Sequence, residues 1–169
     1  MQEHIQNELA SFIANCDWEK IAPHFKEDAA YRVLDWIGCA VAGEHYPQVE
    51  IAQKYFIENG DQGNSTVIGH QTKCSPRTAA FLNGIAGHVC ELDDGHRTAI
   101  GHPGSIAVPT ALALGEHLNA SGADVLKAVI LGYEVFSRLG RTVNPSHYRT
   151  WHTCLLYTSP SPRDRTRSR

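Results

Sequence analysis

"SGADVLKAVILGYEVFSRLG", residues 121–140, decides the fold class. Val125, Ala128, Val129, Gly132, Val135, Phe136 and Leu139 recur at steps of three and four, the spacing of one helix face rather than the alternation of a strand. Ser121 stands just before the run and Asp124 three residues later, an N-terminal capping pair with aspartate where glutamate is commoner. Gly140 predicts the C-terminal stop.

The same period continues upstream. "GHPGSIAVPTALALGEHL" predicts a helix beginning near Ser105, with Pro109 about a turn inside it. "SPRTAAFLNGIAGHVCEL" opens with Ser75 as N-cap and Pro76 at the first helical position. That helix is rich in Ala and Gly, which permits close backbone approach, and is expected to deliver Glu91 at its end. Between Asp28 and Gly43, Ala30, Val33, Leu34, Ile37 and Val41 form the expected buried stripe, with Gly43 as the stop. A further helix is predicted from Gln48 to Glu58, and "NSTVIG" reads as a short strand or extended link. With no internal repeat and no alternation of strands with helices, the fold class is all-α, a helical bundle.

Bulk properties exclude several functions. Fifteen Lys and Arg stand against eighteen Asp and Glu, so no basic surplus points to nucleic acid or anionic lipid. The longest apolar run, Trp36 to Gly43, is too short to span a bilayer, and the N-terminus has no basic region leading into an apolar block. The five cysteines are widely spaced with no Cys-x-x-Cys, and Cys39 in its apolar run reads as a small core residue. A reducing, cytoplasmic setting is expected. Residues 1–153 read as the folded unit. From Leu155 the chain reads "LLYTSPSPRDRTRSR", with four arginines against one aspartate and no apolar period. Residues 154–169 are therefore expected to be a disordered or non-native tail, similar in wording to a read-through of a sequencing adapter, which would leave the protein truncated.

The chemistry-bearing stretch is "CELDDGHRTAIGHPGS", Cys90 to Ser105. Acids at a helix C-terminus oppose the dipole, so Glu91, Asp93 and Asp94 together call for a balancing group. Asp93, Asp94, His96 and His102 are suitable metal-ligand types, but no His-x-x-x-His or calcium-loop spacing is present, and no metal is assigned. Proton transfer is the other reading. His102 precedes Pro103-Gly104-Ser105, where a helix N-terminus suits a substrate carboxylate. "NPSHYRTWHTC" adds His147 and His152, and Arg141 and Arg149 are candidate carboxylate clamps. Together these residues describe acid–base chemistry on a small anionic substrate.

"HVCELDDGHRTAIGHPGSIAVPTALALGE", "SGADVLKAVILGYEVFSRLGR", "HYRTWHT" and "RVLDWIGCAVAGE" together resemble the MmgE/PrpD family, in order, over residues 4 to 153. Its members include 2-methylcitrate dehydratases, cis-aconitate decarboxylases and epimerases. The resemblance implies the large helical domain of a two-domain protein, with the smaller α/β lid domain absent from this first third, a homodimer when full length, and no cofactor or metal. It implies a pocket between the domains, lined from this portion by His and carboxylate groups and by lysines from further along. Glu91 stands where the family has an active-site Asp, one methylene longer, and Gly95 lacks the family's Thr or Ser hydroxyl. His102 matches the His-Pro histidine and His152 that of the later His-Thr motif. The resemblance thus implies His102, His152 and Glu91 as catalytic groups, with Asp93, Asp94, His96, Ser105 and Arg149 around a polycarboxylate. The leading expectation is a 2-methylcitrate dehydratase-like lyase. Decarboxylation, epimerisation, a metal-dependent hydrolase and an inactive truncated product are the alternatives.

Overall fold

The structure, a computed structural model, describes the backbone of residues 2–150 and the side chains of residues 7–150. Six α-helices account for most of it: α1 Gln2–Ala14, α2 Pro23–Gly43, α3 Pro47–Glu58, α4 Pro76–His88, α5 Gly104–Leu118 and α6 Gly122–Val143. Short 3-10 turns lie at Trp18–Lys20 and His147–Arg149. The "NSTVIG" link contributes β1, Ser65–Thr66, antiparallel to β2, Lys73–Cys74, with Ser65 opposite Cys74. The all-α expectation holds. Among the described residues no helix is long and apolar enough to cross a membrane. His152 and the expected tail, 154–169, lie outside the described residues.

Local chemistry explains where the helices begin. Proline opens α2, α3 and α4, where its missing N–H costs no hydrogen bond. The Ser75 hydroxyl accepts from the Thr78 N–H, and the Ser121 hydroxyl from the Asp124 N–H. Asn119 adopts the left-handed conformation that closes α5, with φ of 51°.

α4 is central, packed against α2 on one side and α5 on the other, while α6 covers α5. Trp36, Ala40, Val49, Ala86, Val108 and Val129 form the main core. Small residues make the helices fit. A side chain at Gly43 would strike the Ala86 carbonyl, and one at Gly87 would overlap the Trp36 indole. Burying that indole contributes on the order of 5 kcal/mol as an upper bound, from the area of an aromatic side chain at ~25 cal/mol per Å². A smaller cluster of Val67, Cys74, Ala79, Leu82 and Ala113 lies beneath the hairpin. The buried Asn83 ties that hairpin to α4, donating to the Thr66 carbonyl at 2.9 Å and accepting from the Ile68 N–H at 2.8 Å.

Three sequence expectations need correction. On α2 the buried line is Ala29, Trp36, Cys39, Ala40 and Gly43, whereas Ala30, Leu34 and Val41 are exposed and only Val33 and Ile37 are half-buried. α2 is apolar on more than one face, and the large indole at 36 set against Gly87 selects which face turns inward. α6 continues past Gly140 to Val143, because Gly140 is a contact point for Ala99 rather than a stop. On its expected face Val129 and Phe136 are buried, while Ala128 and Leu139 are exposed. α4 ends at His88, three residues before Glu91.

Gly87→Ala should lower unfolding stability by about 1–3 kcal/mol through overpacking against Trp36. Gly38→Ala, on open helix surface with nothing within 4 Å, should be neutral or stabilising by up to ~1 kcal/mol. Urea unfolding followed by circular dichroism compares the two. Equal midpoints for Gly87→Ala and wild type would show that the indole does not depend on this glycine.

Candidate active site

The acidic run does not sit on the last turn of α4. It lies beyond that helix, in the segment that folds back onto the N-terminus of α5, where the helix dipole favours negative charge. The Gly104 N–H donates to Asp94 Oδ1 at 3.0 Å, and the Ser105 hydroxyl to Asp93 Oδ2 at 2.6 Å. The expected opening for a substrate carboxylate at this helix end is therefore filled by the chain's own aspartates, and Ser105 serves Asp93.

Asp93 is the hub. Its side chain has 0% of its surface exposed. His88 Nδ1 lies 2.9 Å from Oδ1 and 3.1 Å from Oδ2, and His102 Nδ1 lies 3.4 Å from Oδ2. The two imidazoles face each other at 4.6 Å between centroids, tilted by 58°. Facing both oxygens of a carboxylate, an acceptor-only group, Nδ1 of His88 is the donor nitrogen, and Nε2 takes no part in that contact. His88 and His102 keep 41% and 25% of their side-chain surface, so both remain reachable from outside.

Asp94 faces a different neighbourhood. Arg32 of α2 donates to it at 2.9 Å and to Asp28 at 2.7 Å, with its guanidinium over the Tyr133 ring at 5.0 Å. Burial first, and the Asp94 carboxylate second, push the Tyr133 phenol far above its usual range, while Arg32 pulls the other way. Arg32, Asp94, His96, Pro103 and Tyr133 line a cleft of about 400 Å³ beside the loop.

His96 shapes the loop itself. Its Nδ1 accepts from the Ala99 N–H at 3.0 Å, which fixes Nδ1 as the unprotonated nitrogen, and its backbone bridges to Gly101. Asn144 anchors the loop to the end of α6 by donating to the Ala99 carbonyl. Glu91 and Ile100 adopt positive φ, 50° and 53°, at either side of the loop.

Of the residues expected from sequence, His102, Asp93 and Ser105 converge, and Asp94 and His96 stand in the adjoining loop and cleft. Glu91 is exposed in the turn after α4, and the carboxylate that holds the imidazoles is Asp93. Arg149 is exposed in the 3-10 turn at His147–Arg149. His88, Arg32 and Tyr133 were not expected. His88 carried one readable signal, a histidine five residues before an acidic pair, but Arg32 and Tyr133 meet the site only through the fold.

A profile of the MmgE/PrpD N-terminal domain matches residues 7–161. The chain belongs to the MmgE/PrpD family. It is 30% identical to the cis-aconitate decarboxylase-like protein oryM of Aspergillus oryzae over 94% of its own length and 35% of that protein's. It is 31% identical to a cis-aconitate decarboxylase of Aspergillus terreus, covering 93% of this chain and 34% of the relative. With the cis-aconitate decarboxylase of Homo sapiens the identity is 35%, over 63% of this chain and 23% of the relative. The chain thus spans about a third of the length of the Aspergillus relatives.

In this MmgE/PrpD chain the raised Tyr133 value links to stability. The folded state keeps the phenolic proton that the unfolded chain releases near its ordinary value of about 10. That contribution is fully present below pH ~10 and is lost as pH rises toward the folded value. Above pH 10, Tyr133→Phe should lose less stability than wild type on further alkalinisation, as read from urea unfolding at stepped pH. Parallel decline of both proteins would remove Tyr133 as the titrating group.

Proposed function

We propose that this chain supplies the imidazole and carboxylate part of a lyase site acting by proton transfer on a small tricarboxylate, with loss of CO2 from a cis-aconitate-like substrate as the reaction. The observation that carries this reading is the fully buried Asp93 set between the Nδ1 atoms of His88 and His102. The names of the relatives given above support decarboxylation over dehydration of 2-methylcitrate as the reading for this chain.

Loss of CO2 breaks a carbon–carbon bond and leaves an electron pair on the substrate, conjugated with the remaining unsaturation. One proton must then reach carbon. His102, as imidazolium, donates that proton from Nε2, becomes neutral and is reprotonated from solvent. Asp93 stabilises the charged ring and fixes its orientation, as an electrostatic partner rather than a proton carrier. His88 stands close enough to share in the relay. His152, Arg149 and Glu91 remain proposed contributors, with His152 as the second acid–base group. Segments beyond this chain, and a second copy in a homodimer, would complete the pocket in the whole protein. Large apolar side chains left open here, among them Tyr31, Leu34, Ile51 and Phe81, accord with such cover.

In the whole protein, His102→Asn should reduce turnover of cis-aconitate by about 10²- to 10⁴-fold with a smaller change in KM. Asp93→Asn should reshape the pH profile of kcat. Release of CO2 is the measurement, because a dehydratase produces none. Turnover of His102→Asn within a few-fold of wild type would overturn the assignment, and consumption of cis-aconitate without CO2 would point instead to addition of water, a dehydratase running in reverse.

A further inference from the structure

The separations inside the His88–Asp93–His102 cluster fit more than a proton. One ligand atom from each residue can be chosen so that all lie within 4.8 Å of one another. Two donors at the usual ~2.0–2.1 Å from a tetrahedral zinc ion stand about 3.3 Å apart. The 3.4 Å from His102 Nδ1 to Asp93 Oδ2 is longer than a good N–H···O bond, but it matches that spacing closely. His88 Nδ1 lies 3.1 Å from the same oxygen, which needs only a small outward relaxation.

Two imidazoles and one carboxylate oxygen suit borderline cations such as zinc or cobalt, and suit the harder magnesium or calcium poorly. The supporting features of a metal site are also in place. The Ser105 hydroxyl donates to Asp93 Oδ2 and orients the carboxylate, as outer partners do in metal centres. The carboxylate is buried while both rings keep an exposed side, so an ion has a way in and a fourth position lies toward solvent.

We propose that His88 Nδ1, His102 Nδ1 and one oxygen of Asp93 form a binding site for a zinc-class divalent cation. Each ring ligates through an unprotonated Nδ1: a neutral ring moves its one proton from Nδ1 to Nε2, whereas an imidazolium keeps its Nε2 proton and releases the Nδ1 proton to solvent. Resting on the acid–base reading above, the consequence is inhibition: a ring bound through Nδ1 and protonated at Nε2 no longer serves as an imidazolium oriented by Asp93.

The test is binding to this chain, independent of any turnover. Cobalt(II) titrated into the reduced protein should develop the strong visible absorption of a four- or five-coordinate ion at one equivalent, and zinc should abolish it. His88→Gln and His102→Gln should each weaken cobalt binding by more than about tenfold, and Ser105→Ala by about 10- to 100-fold. His117→Gln should leave it unchanged, because His117 pairs with Asn64 outside the cluster. X-ray absorption of the zinc-loaded wild-type chain should count two imidazoles and a carboxylate oxygen, which decides the matter even where a variant fails to fold. No stoichiometric band, a band that survives both histidine substitutions, or a coordination shell without two imidazoles would overturn the proposal. Each of those results leaves the decarboxylase reading standing, and loss of that reading leaves metal binding measurable.

Discussion

A carboxylate with no exposed surface organises this structure. Withdrawing an ionised Asp93 from water costs several kcal/mol unless the surroundings replace the lost hydration. The protein supplies His88 at 2.9 Å, the Ser105 hydroxyl at 2.6 Å, His102 at 3.4 Å and the N-terminal end of α5. Those partners come from three segments: the end of α4, the loop before α5 and the first turn of α5. Satisfying one charge therefore fixes the relative position of all three. The same contacts set the orientation of two imidazole rings, so the electrostatic requirement of the fold and the geometry of the proposed chemistry are one constraint.

The helical scaffold makes that convergence possible through small residues. Gly84 and His88 lie four apart on α4 and so share a face. A side chain at Gly84 would press on the Ser105 carbonyl at 3.3 Å and on Pro109 at 3.8 Å, which places the start of α5 hard against that face. His88, one turn further along, then meets the Asp93 carboxylate that Ser105 also holds. Gly43 and Gly87 bring α2 closer still on the other side of α4, carrying Arg32 toward Asp94. The Ala- and Gly-rich composition of α4 is thus tied to the site as directly as the histidines are.

Much of this was legible in the sequence, and the limits have physical causes. Ser75-Pro76 and Ser121 to Asp124 announce helix starts because capping is local, satisfied within three residues. The family motifs were likewise readable, and the match over residues 7–161 bears them out. The inward face of α2 was not readable. Its apolar residues occupy more than one face, and the choice between them depends on Gly87, which lies 51 positions from Trp36 in the chain. The site divides in the same way. Asp93, His102 and Ser105 lie within one short stretch and could be grouped by eye, whereas the partnership of Arg32 with Asp94 spans 62 residues. Glu91 drew attention as the residue in the family's aspartate position, yet the turn that ends α4 leaves it exposed.

Adjacent aspartates with different partners explain the loop's unusual backbone. Asp93 meets the imidazoles, while Asp94 meets Arg32, Tyr133 and the Gly104 N–H. Neighbouring carboxylates at the same helix end repel one another unless each is matched separately, and matching them separately requires a tightly specified path. Positive φ at Glu91 and Ile100 is part of that path, at a cost of order 1–3 kcal/mol each, greatest for the β-branched Ile100. The His96–Gly101 bridge, the Ala99 N–H to His96 and the Asn144 contact to Ala99 offset that strain with hydrogen bonds made inside the loop and to α6. Ala99 is itself fully buried against Gly140. A loop serving only as a connection would relax to ordinary backbone angles. One pinned at both ends against α6 and α5 holds its two carboxylates in fixed positions, the preorganisation that the proposed acid–base chemistry would require of its charges.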